Sequence, residues 1–168
     1  EYLIEDIKRI KEMGQKAVVF STFANLVLPL FEENLREFGC VKYVGSMNTK
    51  EREEVNDKFK NNPDTCVMVA SLMAAGVGLN WEMANHVYHT DLWWNPQIIA
   101  QATDRVHRIG QKRSVIVKKL ISANSIEENI HDLLDSKSDL FSVVVEGAEV
   151  SSSSKSITES DLFSILGI

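Results

Sequence analysis

The sequence predicts an α/β fold in which helices cover both faces of a parallel sheet. Apolar runs of strand length recur at residues 17–20, 41–44, 66–70, 86–90 and 115–121. Segments with helical spacing of apolar residues lie between them, and strands that alternate with helices are typical of buried parallel sheets. A chain of 168 residues, 44% of them hydrophobic, is long enough for one globular core.

The first two helices are predicted from apolar spacing. Residues 1–13 carry apolar side chains on one side, and Gly14 is placed to end this helix. A second helix is expected at about residues 26–38. Pro29 is expected in its first turn, because a missing N–H is tolerated there.

The next two helices are predicted from their starts. Asn48 and Glu51 have the spacing of a capping box, which predicts a helix from about residue 49 to residue 59. A further helix is expected after Pro96, since proline suits the first helical position.

The C-terminal part of the chain changes in composition. Ser125 and Glu128 fit a second capping box, which predicts a helix ending near residue 139. We assign residues 1–140 to one lobe, 141–160 to an acidic, serine-rich linker and 161–168 to a short docking helix. Two roles stay open for the apolar end, docking on the same chain and binding a protein partner.

Charge is distributed unevenly along the chain. The net charge of -6 argues against a nucleic-acid partner. Residues 120–168 contain nine acidic and two basic residues, a net of -7, which leaves +1 for residues 1–119. Six basic residues lie within residues 102–119, against one acidic residue, Asp104. This distribution weakens the argument against a nucleic-acid partner, because the basic residues cluster in one segment and the acidic ones lie in the tail.

Composition also bears on compartment. Cys40 and Cys66 are too few for a disulfide framework, and no secretory leader opens the chain. No apolar run approaches the roughly 20 residues that span a bilayer. An intracellular location is expected, cytoplasmic in a bacterium or virus and nuclear in a eukaryote. Glu1 stands inside a predicted helix, which indicates a fragment of a longer protein.

Two further residue pairs have simple structural interpretations. His86 and His89 are three apart in a predicted strand and so point to opposite faces, which argues against a metal site. Trp93 and Trp94 could stack on bases. Packing of at least one of them against the lobe is the preferred interpretation.

The most specific pattern is QATDRVHRIGQ, from Gln101 to Gln111. Arg105 and Arg108 are three apart, so on a helix or its C-terminal turn they project to the same side. The planar fork of arginine donors suits a phosphate group held across a cleft. A solvated basic helix end has the same spacing, and the spacing alone leaves both interpretations open. His107 between the arginines either orients them or makes a purely structural hydrogen bond.

This segment resembles helicase motif VI in the form typical of Swi/Snf-related ATPases. Four other segments resemble motifs of that family in the expected order: AVVFSTF at 17–23, YVGS at 43–46 followed by Glu51 and Arg52, ASLMAAGVGLN at 70–80, and DLWWNP at 91–96. The match covers about residues 15–135. It implies the C-terminal RecA-like lobe of a superfamily-two, DNA-dependent ATPase.

The resemblance also implies roles for individual residues. Arg105 and Arg108 would act as arginine fingers on the γ-phosphate of ATP. The residues implied in nucleotide binding are Gln101, Asp104, Gly76 and Gly78. The residues implied along the backbone of double-stranded DNA are Ser21, Thr22, Gly45, Ser46 and Ser71. Hydroxyl and backbone N–H groups of this kind bond phosphates without reading base sequence.

The chain departs from the family in one motif and lacks other parts of an ATPase. Leu72 and Met73 stand where threonine and a basic residue are usual, and Ala75 stands where glycine is frequent. There is no G-x-x-x-x-G-K-[ST] loop and no Asp-Glu pair positioned after a strand. ATP and Mg²⁺ are therefore expected mainly on an N-terminal RecA-like lobe of the same polypeptide, and this lobe alone is expected to be inactive.

The resemblance implies the second motor lobe of an ATP-dependent translocase on double-stranded DNA, similar to chromatin remodellers and without a membrane partner. Two alternatives stay open. One is a strand-separating helicase on RNA or DNA. The other is a non-catalytic module, a degenerate lobe that only binds nucleic acid or protein, which the acidic balance and the altered segment at Leu72 and Met73 favour.

Overall fold

A computed structural model of the chain describes residues 1–74, 79–93 and 95–131. The strands of its sheet are β1 Ala17–Ser21, β2 Cys40–Tyr43, β3 Val67–Ser71, β4 His86–His89 and β5 Ile116–Lys119. They are parallel and lie in the order β2-β3-β1-β4-β5. Each predicted strand is present, and β5 is shorter than the apolar run that predicted it.

The helices are α1 Tyr2–Glu12, α2 Ala24–Leu35, α3 Thr49–Asn61 and α4 Pro96–Thr103. Gly14 follows the end of α1 with a left-handed φ of 62°, as predicted for a helix stop. The capping box of α3 is confirmed. The Asn48 side chain accepts from the Glu51 N–H at 3.0 Å, and the Asn48 N–H donates to the Glu51 carboxylate at 2.8 Å.

One prediction about α2 is wrong. The helix begins at Ala24, immediately after the turn that follows β1, because the Leu26 N–H already bonds the Phe23 carbonyl at 2.8 Å. Pro29 is therefore the sixth residue of the helix and not part of its first turn. The helix lacks one internal N–H donor at that position.

The predicted capping box near the C-terminus is also wrong. The Ser125 hydroxyl accepts from the Glu127 N–H at 3.1 Å, and the Glu128 carboxylate accepts from the Asn124 N–H at 3.0 Å. Asn124 has a left-handed φ of 56°. These bonds are each displaced by one residue from a capping box, in which the side chains of Ser125 and Glu128 would each bond the backbone N–H of the other.

Helices cover both faces of the sheet, which confirms the predicted fold class. One face buries side chains of β1, β3 and β4 together with residues of α1 and α2: Ala17, Val19, Val67, Val69, Tyr88, Leu3, Ile7, Ile10 and Leu35. On the opposite face, Phe20 contacts Trp81, which is bonded to Asn56 of α3. His89 meets Thr103 of α4 on that same face.

The chain divides into two compact units. The first contains Glu1–Asp91 and Gln97–Leu120, and the whole described sheet lies in it. The second contains Leu92–Pro96 and Ile121–Ile168, and its residues 126–131 are helical. The predicted linker at 141–160 and docking helix at 161–168 lie outside the described residues, and the assignment of 1–140 to one lobe stays a prediction.

The described helices are short relative to a bilayer. None of them is long and apolar enough to span a bilayer.

Candidate functional site

The residues implied in DNA binding lie at the carboxyl ends of neighbouring strands. Ser21 ends β1 and Ser71 ends β3, and the two are register partners. Tyr43 ends β2 opposite Ala70, so the turn at 45–46 leaves the same edge of the sheet. After β1 the chain goes to the edge strand β2, returns to β3 and then crosses to β4. Ligands of open α/β sheets bind at the carboxyl edge beside such a reversal.

Two of the residues predicted to bind DNA, Ser21 and Thr22, make hydrogen bonds within the lobe. Ser21 is buried, and its hydroxyl accepts from the Phe23 N–H at 3.1 Å. The Thr22 N–H donates to the Asp91 carboxylate at 2.8 Å, and the Thr22 hydroxyl donates to the same oxygen. These bonds join the turn after β1 to the turn after β4. Ser21 and Thr22 therefore fix the shape of this edge.

The other three residues predicted to bind DNA are more accessible to solvent. Gly45 and Ser46 are exposed, and Ser71 is half-buried. Nothing lies within 4 Å of the position where Gly45 would carry a Cβ. The turn at 45–46 is therefore the part of the predicted DNA set that is open to a phosphate backbone.

The two arginines lie on the turn after α4, which ends at Thr103. We call residues 104–110 the finger turn. The Arg105 N–H bonds the Ala102 carbonyl, and the Arg108 N–H bonds the Val106 carbonyl, both at 3.2 Å. Val106 is fully buried between the arginines and anchors the turn in the core.

A second segment, residues 79–84, holds the finger turn and is called the seat below. The Arg105 carbonyl accepts from the Trp81 N–H at 2.8 Å. The Arg108 guanidinium donates to the Leu79 carbonyl at 3.1 Å. Both arginines are thus bonded to main-chain atoms of the seat, Arg105 through its backbone carbonyl and Arg108 through its side chain.

Gln111 closes the attachment. Its side-chain NH₂ group donates to the backbone carbonyl of Glu82 at 3.0 Å and to that of Ala84 at 2.7 Å. Its side-chain oxygen accepts from the Arg113 N–H at 2.9 Å. Gly110 just before it has a φ of 111°, and a Cβ there would overlap the Glu82 carboxylate. The positive φ favours glycine at this position, while the Glu82 carboxylate lies at the end of a flexible side chain that can move aside.

The arginines retain donors for a ligand. Arg105 is half-buried, and its Nε is buried without a hydrogen-bond partner among the described residues. Arg108 is exposed, and among the described residues its guanidinium donates to the Leu79 carbonyl alone. An unsatisfied buried donor on Arg105 and an exposed guanidinium on Arg108 are groups that can bind an anion such as a phosphate.

The other nucleotide-binding predictions are only partly described. Gln101 and Asp104 are both exposed at the end of α4. Gly76 and Gly78 lie outside the described residues. His107 is exposed and makes no hydrogen bond through its side chain within the ranges described, so it does not orient the arginines in this structure.

Known proteins share the fold of this chain. The model of the helicase conserved C-terminal domain matches residues 1–110. The chain belongs to this helicase family, in its Swi/Snf-type branch. The Swi/Snf-type lobe is similar to the C-terminal part of the Fun30 ATPase domain, known from a crystal structure, with a sequence identity of 35% and a TM-score of 0.74. The match covers 79% of this chain and 43% of that one.

Two further known proteins support the same family. The Sulfolobus solfataricus SWI2/SNF2 ATPase core in complex with dsDNA is 39% identical, with a TM-score of 0.67, over 87% of this chain and 31% of that one. The ATP-dependent helicase rhp16 of Schizosaccharomyces pombe is 38% identical over 153 residues, 89% of this chain and 18% of the relative. The chain spans less than a fifth of the length of such relatives. The predicted RecA-like fold is confirmed.

Sequence reasoning missed a residue at the centre of this Swi/Snf-type lobe. Trp81 is 1% exposed and lies 5.9 Å from Phe20 and 5.4 Å from Tyr43 between ring centroids. Its indole N–H donates to the Asn56 side chain at 2.8 Å. A tryptophan directly after the motif that ends at Asn80 was the one available signal.

The two histidines of β4 have partners on opposite faces of the sheet. His86 Nε2 lies 2.6 Å from the Gln15 side-chain oxygen, and His89 Nε2 lies 3.1 Å from the Thr103 hydroxyl. Burial lowers the pKa of His86, and burial with the nearby Lys119 lowers the pKa of His89 to about 4. Both are structural histidines in the core of this lobe.

The basic segment at 102–119 does not form one open surface. Lys118 pairs with the Asp6 carboxylate, which also accepts from the Tyr88 hydroxyl. Burial by itself raises the pKa of Asp6, but the hydrogen bonds from Lys118 and Tyr88 bring that pKa below its ordinary value. Lys118 is therefore committed to joining β5 to α1.

Proposed function

We propose that this lobe is the second motor lobe of an ATP-dependent translocase on double-stranded DNA, of the chromatin-remodeller type. In this role it supplies the arginine fingers Arg105 and Arg108 and contacts to the DNA backbone. The observation that carries the proposal is the finger turn. Its arginines are fixed through main-chain atoms of the seat while their guanidinium groups keep donors for a phosphate.

Both arginines would reach ATP that an N-terminal lobe of the same polypeptide holds. ATP with Mg²⁺, held mainly by an N-terminal lobe of the same polypeptide, supplies the phosphoryl group that is transferred to water. Arg105 and Arg108 donate to the phosphate oxygens when the lobes close, and they stabilise the charge that develops there. Gln101 and Asp104, exposed at the end of α4, contact the nucleotide from this lobe.

DNA is held at the carboxyl edge of the sheet. Gly45 and Ser46 offer N–H groups and a hydroxyl on an exposed turn, and Ser71 adds a hydroxyl at the end of β3. Ser21 and Thr22 shape this edge through their bonds to Phe23 and Asp91. Contacts of this kind recognise the backbone, so binding has little base preference and weakens with salt. Similarity to an ATPase core in complex with dsDNA supports the same choice of partner.

The test is ATP hydrolysis by the parent polypeptide with and without duplex DNA. DNA stimulates turnover, and Arg108→Ala lowers the stimulated rate by about 10³ or more while nucleotide binding is retained, as expected for an arginine finger. Arg113→Ala removes another exposed arginine of the same basic segment and leaves the rate unchanged. Arg108→Lys keeps the charge without the planar fork and recovers little of the rate.

Two outcomes decide between this function and its alternatives. Turnover that is absent, or indifferent to Arg108, contradicts the proposal and favours a non-catalytic module that binds nucleic acid or protein. Strand displacement by the parent polypeptide would identify a strand-separating helicase instead of a duplex translocase.

A further inference from the structure

Helix α3 is attached to the turn that faces DNA. The Arg52 guanidinium, half-buried on α3, donates to the Gly45 carbonyl at 2.9 Å. Its central carbon lies 5.5 Å from the centroid of the Tyr43 ring, a cation–π contact at the end of β2. A displacement of the turn at 45–46 is therefore opposed by α3.

The same helix is attached to the seat one turn further along. Asn56 follows Arg52 by four residues, so both side chains lie on one side of α3. The Asn56 side-chain oxygen accepts from the Trp81 indole at 2.8 Å. Trp81 in turn donates its backbone N–H to the Arg105 carbonyl at 2.8 Å.

These contacts form a continuous connection from the DNA-facing turn to one of the arginines. Tyr43 strengthens it, because its ring meets the Trp81 ring edge-on at 5.4 Å. Trp81 is 1% exposed, and Asn56 is the hydrogen-bond partner of its indole N–H. Separating α3 from the seat would leave a buried donor unsatisfied, which is unfavourable, so the two move together.

We propose that Asn56 and Trp81 are positioning residues that couple DNA binding to the arginine fingers. DNA on the turn at 45–46 fixes α3 through Arg52, α3 fixes the Trp81 side chain through Asn56, and Trp81 sets the position of the Arg105 main chain. The inference rests on the proposed function. It adds that the Asn56–Trp81 hydrogen bond controls how much DNA accelerates ATP hydrolysis.

The experiment is steady-state ATP hydrolysis by the full-length parent polypeptide over a range of duplex DNA concentrations. Asn56→Leu removes the acceptor and keeps the number and branching of the side-chain heavy atoms, and Trp81→Phe removes the donor while keeping a ring against Tyr43. Each lowers the DNA-stimulated kcat roughly three- to tenfold, the range expected for loss of one neutral hydrogen bond. The DNA-free rate falls by a smaller factor than the DNA-stimulated kcat.

Three matched variants separate coupling from a merely structural role. Asn61→Leu makes the same change on the same helix, at an exposed side chain bonded to Asp57, and leaves stimulation intact. Asn56→Asp keeps an acceptor oxygen and retains stimulation. The double variant at 56 and 81 is no worse than either single variant, because both remove the same bond.

The inference is overturned if Trp81→Phe keeps full stimulation, or if its DNA-free rate falls by the same factor as its stimulated rate. Trp81→Phe alone decides the matter if Asn56→Leu fails to fold. Wild-type protein that DNA does not stimulate, or whose turnover survives Arg108→Ala, contradicts the proposed function itself. Normal stimulation that depends on Arg108 but not on the bond between 56 and 81 contradicts only the coupling.

Discussion

Mild acid is expected to destabilise the lobe through His89. The side chain is 1% exposed and stacks on Phe20, with 5.4 Å between ring centroids. Burial and the charge of Lys119 lower its pKa from 6.5 to about 4. The Thr103 hydroxyl donates its proton to the Ile99 carbonyl, so its oxygen accepts from neutral His89.

The sign and size of the effect follow from this difference in pKa. A histidine whose pKa is lowered on folding binds fewer protons in the folded state, so stability is lost as pH falls from 6.5 towards 4. At pH 5, one and a half pH units below the unfolded pKa, the loss is about 2 kcal/mol relative to pH 7. His86, whose pKa is also lowered by burial, changes stability in the same direction.

The assay is urea unfolding of the chain at pH 7 and at pH 5. His89→Phe keeps a ring stacked on Phe20 and removes the titrating group, so the free energy of unfolding should change with pH by about 2 kcal/mol less than in wild type. His107→Gln, at an exposed histidine, serves as the control and keeps the wild-type difference. A pH dependence that survives His89→Phe undiminished would refute this reasoning.

Two further predictions concern the contact between the finger turn and the seat. Gln111→Leu leaves the carbonyls of Glu82 and Ala84 without their donor, and should lower the free energy of unfolding by about 1–3 kcal/mol together with the DNA-stimulated kcat. Unchanged denaturation and turnover would contradict the attachment. Gly110→Ala strains a residue at φ 111° and crowds Glu82, for a loss of about 1–3 kcal/mol. Adding Glu82→Ala should restore only the part due to crowding, and full recovery in denaturation would argue against backbone strain.

Local features of the sequence predicted most of the fold. Buried parallel strands are continuous apolar runs, so their positions could be located to within a few residues. The capping box at Asn48 and Glu51 needs only neighbouring residues, and it is present. Pro29 was misplaced because the start of α2 depends on how the chain leaves β1. Ser125 and Glu128 failed as a box because of the left-handed backbone at Asn124.

The candidate site was predictable only in part. The pattern QATDRVHRIGQ, from Gln101 to Gln111, predicted the two arginines of the finger turn and indicated the family. Contacts between distant residues were beyond sequence reasoning, as with Asn56 and Trp81, which are 25 positions apart and carry no motif linking them. The ion pair between Lys118 and Asp6 could not be predicted either, because the two residues are far apart in the sequence.

The way the seat holds the finger turn has a consequence for substitution tolerance. Every atom that the seat contributes to these bonds belongs to the main chain: the carbonyls of residues 79, 82 and 84 and the N–H of residue 81. The side chains of this segment that are not buried can therefore vary without loss of the attachment, whereas Trp81 and Ala84 lie in the core. Proline at position 81 is excluded as well, because it has no N–H to donate. Arg108 and Gln111 have no such freedom, because their side chains make the bonds. The lobe can thus change the exposed surface of its seat while keeping the same main-chain bonds to the finger turn.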